Sequence, residues 1–194
     1  GGLLLPGGLA ALALRAGRGL PGLRFGLPGP DPVEKRPVLL VVAGLDADRR
    51  AGTAVALEVL PALRERATAD GALSEVLRRF AVEVVPLMNP DGVARGHWRH
   101  NVGDVDLNRD WGPFEQPETQ AVIGWVETQE AAGRELRLMI DFHSTWEDLF
   151  YTPPKQDDPP DLVTRWLDAS RARLPDFRET LVAGAGHFIF EEQP

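Results

Sequence analysis

Six consecutive apolar residues, Val38-Leu39-Leu40-Val41-Val42-Ala43, constrain this chain more than any other stretch. A strand with one face in water alternates apolar and polar side chains. A run without that alternation must be covered on both faces, as the strands of a parallel sheet are when helices pack above and below. Ala81 to Leu87 and Leu136 to Phe142 are two further strand-like runs. Between the first two runs, Ala51 to Thr68 places Val55, Val59, Leu60 and Leu63 on one helical face. Pro61 is expected to kink or split that helix, because proline removes an internal hydrogen bond. A second helix spans Leu73 to Arg79, a third Glu118 to Gln129 with Val122, Trp125 and Val126 apolar, and a fourth Leu162 to Leu174 with Val163, Trp166, Leu167 and Leu174 facing in. Strand, helix, strand implies a right-handed crossover, so the order predicts an α/β fold, a three-layer α/β/α sandwich around a mixed, largely parallel sheet.

Residues 1–36 are dense in Gly, Pro, Leu and Arg and read as an irregular segment, with a short helix at Leu9 to Arg15 and one edge strand near Leu23 to Leu27. A single domain over residues 37–194 follows. The apolar stretch Leu3 to Leu14 has the length of a leader core but no methionine or basic segment before it, so a plain domain edge is the expected reading and a cropped or cleaved leader the alternative. With 43% apolar and 26% charged residues the composition is that of a globular protein. A net charge of −8 argues against nucleic acid as a partner, since phosphates require a basic face. No apolar run approaches the length of a membrane span. The compartment stays open between cytoplasmic and exported, and so does the oligomeric state. The sequence has no cysteine, so any metal must be held by histidine and carboxylate.

Two polar sets follow apolar runs, where ligands bind in open α/β sheets. After Leu87 come Asn89, Asp91, Arg99, Asp106, Asn108 and Arg109; the third run carries Asp141 and is followed by His143 and Ser144. Forked guanidinium groups beside an amide suit a planar anion, most naturally a carboxylate. The loop from Met88 to Trp111 is long, and loops of that length without secondary structure are usually functional. Bland readings accompany these. Asn89-Pro90-Asp91-Gly92 is by chemistry a generic turn, and Arg109 could pair structurally with Asp106 or Asp110. His97, His100 and His187 are most simply surface or hydrogen-bonded residues, and the five tryptophans packing residues.

The ordered segments NPDG, HWRHN, VDLNRDW and DFHSTW resemble those of the zinc metallocarboxypeptidases, the carboxypeptidase A clan, over Pro37 to Pro175. The resemblance implies an α/β/α fold, a zinc cofactor, and a peptide or other substrate with a free carboxylate. Carried over by motif, His143 is a zinc ligand, Arg99 the cation that stabilises the oxyanion, and Asn108 with Arg109 the carboxylate clamp, with Ser144 beside them. Asp106 matches the acidic residue that steadies a ligand histidine. The family's other two ligands come from a His-x-x-Glu motif, and here those positions hold Asp46 and Arg49. Asp46 can ligate zinc and Arg49 cannot; a site of Asp46, Asp48 and His143 is an alternative, with Asp48 out of register. His187-Phe188-Ile189-Phe190-Glu191-Glu192 imitates the family's general-base pattern and makes Glu191 a candidate, but the favoured reading is an amphipathic segment that lies before the final catalytic strand. Two functions follow from the resemblance: a zinc-dependent carboxypeptidase or related amide hydrolase with an altered metal site, or an inactive relative that binds peptides or other carboxylates through Arg99, Asn108 and Arg109. A sequence altered or cropped from an active parent is a third reading.

Overall fold

The computed structural model describes residues 20–48 and 50–143, with four helical positions at 165, 168, 169 and 172. The elements below all belong to one compact unit, Gly1–Ser144; a second unit, Thr145–Pro194, contains the four later positions. The helix expected at Leu9 to Arg15, the proline-rich turn after Tyr151 and the segment around Glu191 lie outside the described residues, as do Arg49 and Ser144. So does the helix expected at Leu162 to Leu174, apart from those four positions.

Strand β1 (Leu23–Phe25) and β2 (Val38–Ala43) precede α1 (Arg50–Ala67) and α2 (Gly71–Arg79). Strand β3 (Ala81–Val85), α3 (Pro90–Arg95), α4 (Pro117–Ala131) and β4 (Leu136–Phe142) follow. The sheet order is β1-β3-β2-β4. β2 is parallel to both β3 and β4, and β1 runs antiparallel along β3. The three apolar runs therefore share one mixed, mostly parallel sheet, and the short antiparallel edge comes from the glycine- and proline-rich N-terminal segment.

Period two along β2 explains the layers. Leu40 and Val42 join Val85, Met88, Leu107, Val122 and Val126 in a core under α4. Val41 and Ala43 join Val82, Val84, Ala56, Leu60 and Leu77 in a second core under α1 and α2. Helices thus cover both faces of β2, as an unalternating apolar run demands.

Four local expectations are corrected. Helix α1 is continuous through Pro61. Pro61 and Leu57 are both exposed, so the Leu57 carbonyl that loses its partner can turn to water. Val55 is 49% exposed, while the expected Leu60 is buried with Val59 and Leu63 packed against the same core, and Gly52, Ala56 and Ala67 complete the inner face of α1. The reason is space: a Cβ on Gly52 would stand 2.3 Å from the Phe142 carbonyl oxygen, so small residues fill the tightest crossing. Finally, β3 ends at Val85 rather than Leu87, and Asn89-Pro90-Asp91-Gly92 opens helix α3 instead of making an isolated turn. The Asn89 side chain caps the Gly92 N–H, and Pro90 takes the first helical position, where its missing N–H costs nothing.

Candidate carboxylate-binding site at the strand ends

The chain leaves all three parallel strands at the same rim. Asp46 follows β2 by three residues, Asn89 follows β3 by four and His143 follows β4 by one. Gly44 makes the first exit with φ +70°, and a Cβ there would lie 2.6 Å from Thr53 Oγ1. The Met88 and Asn89 N–H groups then donate to Ala43 O and Gly44 O at 2.9 and 3.0 Å, locking the β3 exit alongside that of β2.

Asn89 organises the loops around this rim. Its side chain is fully buried. The amide nitrogen reaches Leu45 O at 3.1 Å, Arg99 O at 3.4 Å and His100 O at 3.1 Å while Oδ1 accepts from Gly92 N. One side chain thus ties the Asp46 loop to the Arg99 segment, and the Ala47 and Asp48 N–H groups donate to Arg99 O and Trp98 O across the same seam. The supposed loop from Met88 to Trp111 is therefore built: α3, then residues 97–101, then a 3-10 turn over Leu107–Arg109 capped by Asp106, whose Oδ1 accepts from Asn108 N.

Charges alternate across the rim. Arg99 Nη1 lies 3.7 Å from Asp106 Oδ2, and its Nε lies 3.8 Å from Asp46 Oδ1. On the far side of Asp46, Oδ2 is 3.2 Å from His143 Nε2, and His143 Nδ1 is 3.5 Å from Asp141 Oδ2. Burial opposes protonation of this imidazole, but hydrogen bonding and charge from Asp141 and Asp46 outweigh it and push the pKa up to about 9. Asn108 Nδ2 also sits 2.7 Å from His143 Nε2. A doubly protonated ring directs its Nε2–H towards Asp46 and its Nδ1–H towards Asp141. Asp46 is buried, Asn108 and His143 are half-buried, and Arg109 is exposed beside Asn108.

Asp46, Arg99, Asp106, Asn108 and His143 thus come together from segments up to 97 positions apart. Asp106 faces Arg99. Asp141 and Asn89, members of the two polar sets without an assigned task, take specific ones here: Asp141 is the second partner of His143 and Asn89 the hub of the loops. The Asn-Pro pair before a short apolar segment was the available signal for Asn89.

Three parallel strands whose exits bring carboxylates, an imidazole, an amide and the Arg99 guanidinium to one rim of an α/β sheet have the architecture of a carboxypeptidase-like domain. The chain belongs to the zinc carboxypeptidase family, whose sequence model matches residues 15–176. Cytosolic carboxypeptidase-like protein 5 of Rattus norvegicus is 44% identical over 43 residues, 22% of this chain and 5% of that protein. Among solved structures, a metallo-carboxypeptidase from Burkholderia cenocepacia superposes with a TM-score of 0.66 at 19% identity, covering 89% of this chain and 48% of its own. A metallo-carboxypeptidase from Pseudomonas aeruginosa in complex with (2-guanidinoethylmercapto)succinic acid gives 0.59 at 23% identity, covering 91% and 46%. The chain spans about half the length of these structural relatives. Among the described residues no helix is long and apolar enough to cross a membrane.

Proposed function

We propose that this chain recognises the free C-terminal carboxylate of a peptide, or a similar carboxylate ligand, through Arg99, Asn108 and Arg109, and that it does so without a catalytic zinc. The observation that carries the reading is the alternation Asp106, Arg99, Asp46, His143, Asp141, in which positive groups already flank the carboxylate at a family ligand position. Catalytic zinc takes three protein donors and keeps a position for water. The donor set here does not suit it. Arg49 stands where the motif has glutamate, and an arginine is a permanent cation. A forked guanidinium and an amide need no metal to bind a carboxylate. The Pseudomonas aeruginosa relative was crystallised with a succinic acid derivative, itself a carboxylate, which agrees with this reading.

A calorimetric titration tests it. A short peptide with a free C-terminus should bind at least about tenfold more tightly than its C-terminal amide, because the amide cannot accept two charged hydrogen bonds. Arg109→Lys should weaken the carboxylate peptide by a similar factor, since a point cation loses the fork. A neutral chelator such as 1,10-phenanthroline should change neither result. Equal affinity for acid and amide, or peptide cleavage that the chelator abolishes, would overturn the proposal; the latter would favour the hydrolase reading, with Asp46 and His143 as ligands and Glu191 as base.

A further inference from the structure

Trp98 is the most exposed large apolar side chain among the described residues, at 63%. Its backbone is held in place. The Asp48 N–H donates to Trp98 O at 3.0 Å, the Ala47 N–H to Arg99 O at 3.4 Å and the His97 N–H to Gly92 O at 3.0 Å. Asn89 binds the next two carbonyls. An indole anchored this way yet left in water forgoes the burial that a core position would give it. It also has a specific neighbour. The Arg99 guanidinium lies over the ring, 5.0 Å from its centre, and the same guanidinium reaches towards Asp46 and Asp106. Trp98 is therefore one side chain away from the carboxylate site, with one face against a cation and the rest open.

We infer that Trp98 is a specificity-determining residue: its open indole surface receives the aromatic or other planar side chain of the ligand's C-terminal residue while Arg99, Asn108 and Arg109 hold the carboxylate. The inference rests on the carboxylate-binding reading above. Two physical effects support it. Aromatic groups gain from offset or edge contacts with an indole beyond the area they bury. The cation against one face holds the ring in place, so less side-chain freedom is lost on binding.

Two ligands separate the contributions in calorimetry: N-acetylglycine, which offers a carboxylate and no side chain, and N-acetylphenylalanine, which adds the ring. The wild-type chain should prefer N-acetylphenylalanine. Trp98→Ala should cut that preference about three- to tenfold and leave N-acetylglycine affinity within about twofold, while Trp98→Phe should keep most of the preference. Trp98→Leu serves as a second apolar but non-aromatic variant, expected to behave like alanine. Equal loss for both ligands in the alanine and leucine variants would overturn the inference, since Trp98 would then act only by holding Arg99; an unchanged preference would overturn it as well. Failure of the wild type to bind either ligand overturns the carboxylate site itself, and is seen before any variant is made.

Discussion

On the proposed reading, Asp46 and Arg49 stand at the ligand positions of the motif and set this chain apart through charge. Replacing a glutamate by arginine changes the local charge by two units, and Asp46 supplies an oxygen donor where the motif has an imidazole. Restoring both positions, Asp46→His with Arg49→Glu, should raise zinc binding well above that of the unmodified chain, read as bound metal after dialysis. If the unmodified chain instead keeps one equivalent of zinc through dialysis against a weak chelator, the donors lie elsewhere. These substitutions were legible because a motif fixes identities at set spacing. The partners of Asp46 were not: nothing in the sequence tells that Arg99 turns towards it, or that Asp141 rather than Asp106 stands beside His143, because side-chain direction at a strand end depends on the packing of the loop around it.

At the scale of elements, the first turn of α1 lies against the end of β4, and Gly52 makes that approach possible. Gly52→Ala gains about 1 kcal/mol of helix propensity but drives a methyl group into a carbonyl, and overpacking of that kind costs about 1–3 kcal/mol. The net effect should be a lower urea midpoint and weaker ligand binding, because Phe142 precedes His143. Asp110 fastens the site loop to α4 by accepting from Glu115 N and Gln116 N at 2.9 Å each and from the Thr119 hydroxyl. Burial pushes its carboxyl pKa up, yet those three donors outweigh it and hold it below the usual 3.8. A group lowered on folding stabilises the native state above its unfolded pKa, and the contribution is lost as pH falls through the folded value. The stability gap between wild type and Asp110→Asn, measured by urea unfolding, should therefore be widest at pH 6 and narrow below about pH 4; a gap that is constant with pH would refute the assignment. Helix and strand existence could be read from periodicity here, whereas the inner face of α1 could not. Apart from Leu60, its buried residues are Gly52, Ala56 and Ala67, which carry little hydropathy signal, and Val55 beside them misled the pattern.

Across the whole sheet, one buried charge network links the edge to the centre. Glu83 on β3 accepts from Arg24 of β1 at 2.6 Å and from Arg134, in the turn before β4, at 2.9 Å, and Arg134 Nε also donates to Arg36 O. Removing one partner of a buried pair leaves the others uncompensated, at about 3–5 kcal/mol. Glu83→Gln should therefore lower the thermal midpoint by many degrees without altering ligand affinity in the folded fraction, since no member of the network touches the site. The sequence showed Glu83 only as a polar interruption of an apolar strand, its arginine partners being 59 and 51 positions away. The central place of β2 has a further consequence, in time. It pairs with residues that begin at Ala81 on one side and at Leu136 on the other, so neither ladder can close before long loops are drawn in. Domains dominated by such distant pairings fold slowly, over milliseconds to seconds. The encounter of Asp46 with His143 waits on the later of the two closures, so ligand binding after dilution from denaturant should recover no sooner than protection of the β2 amides.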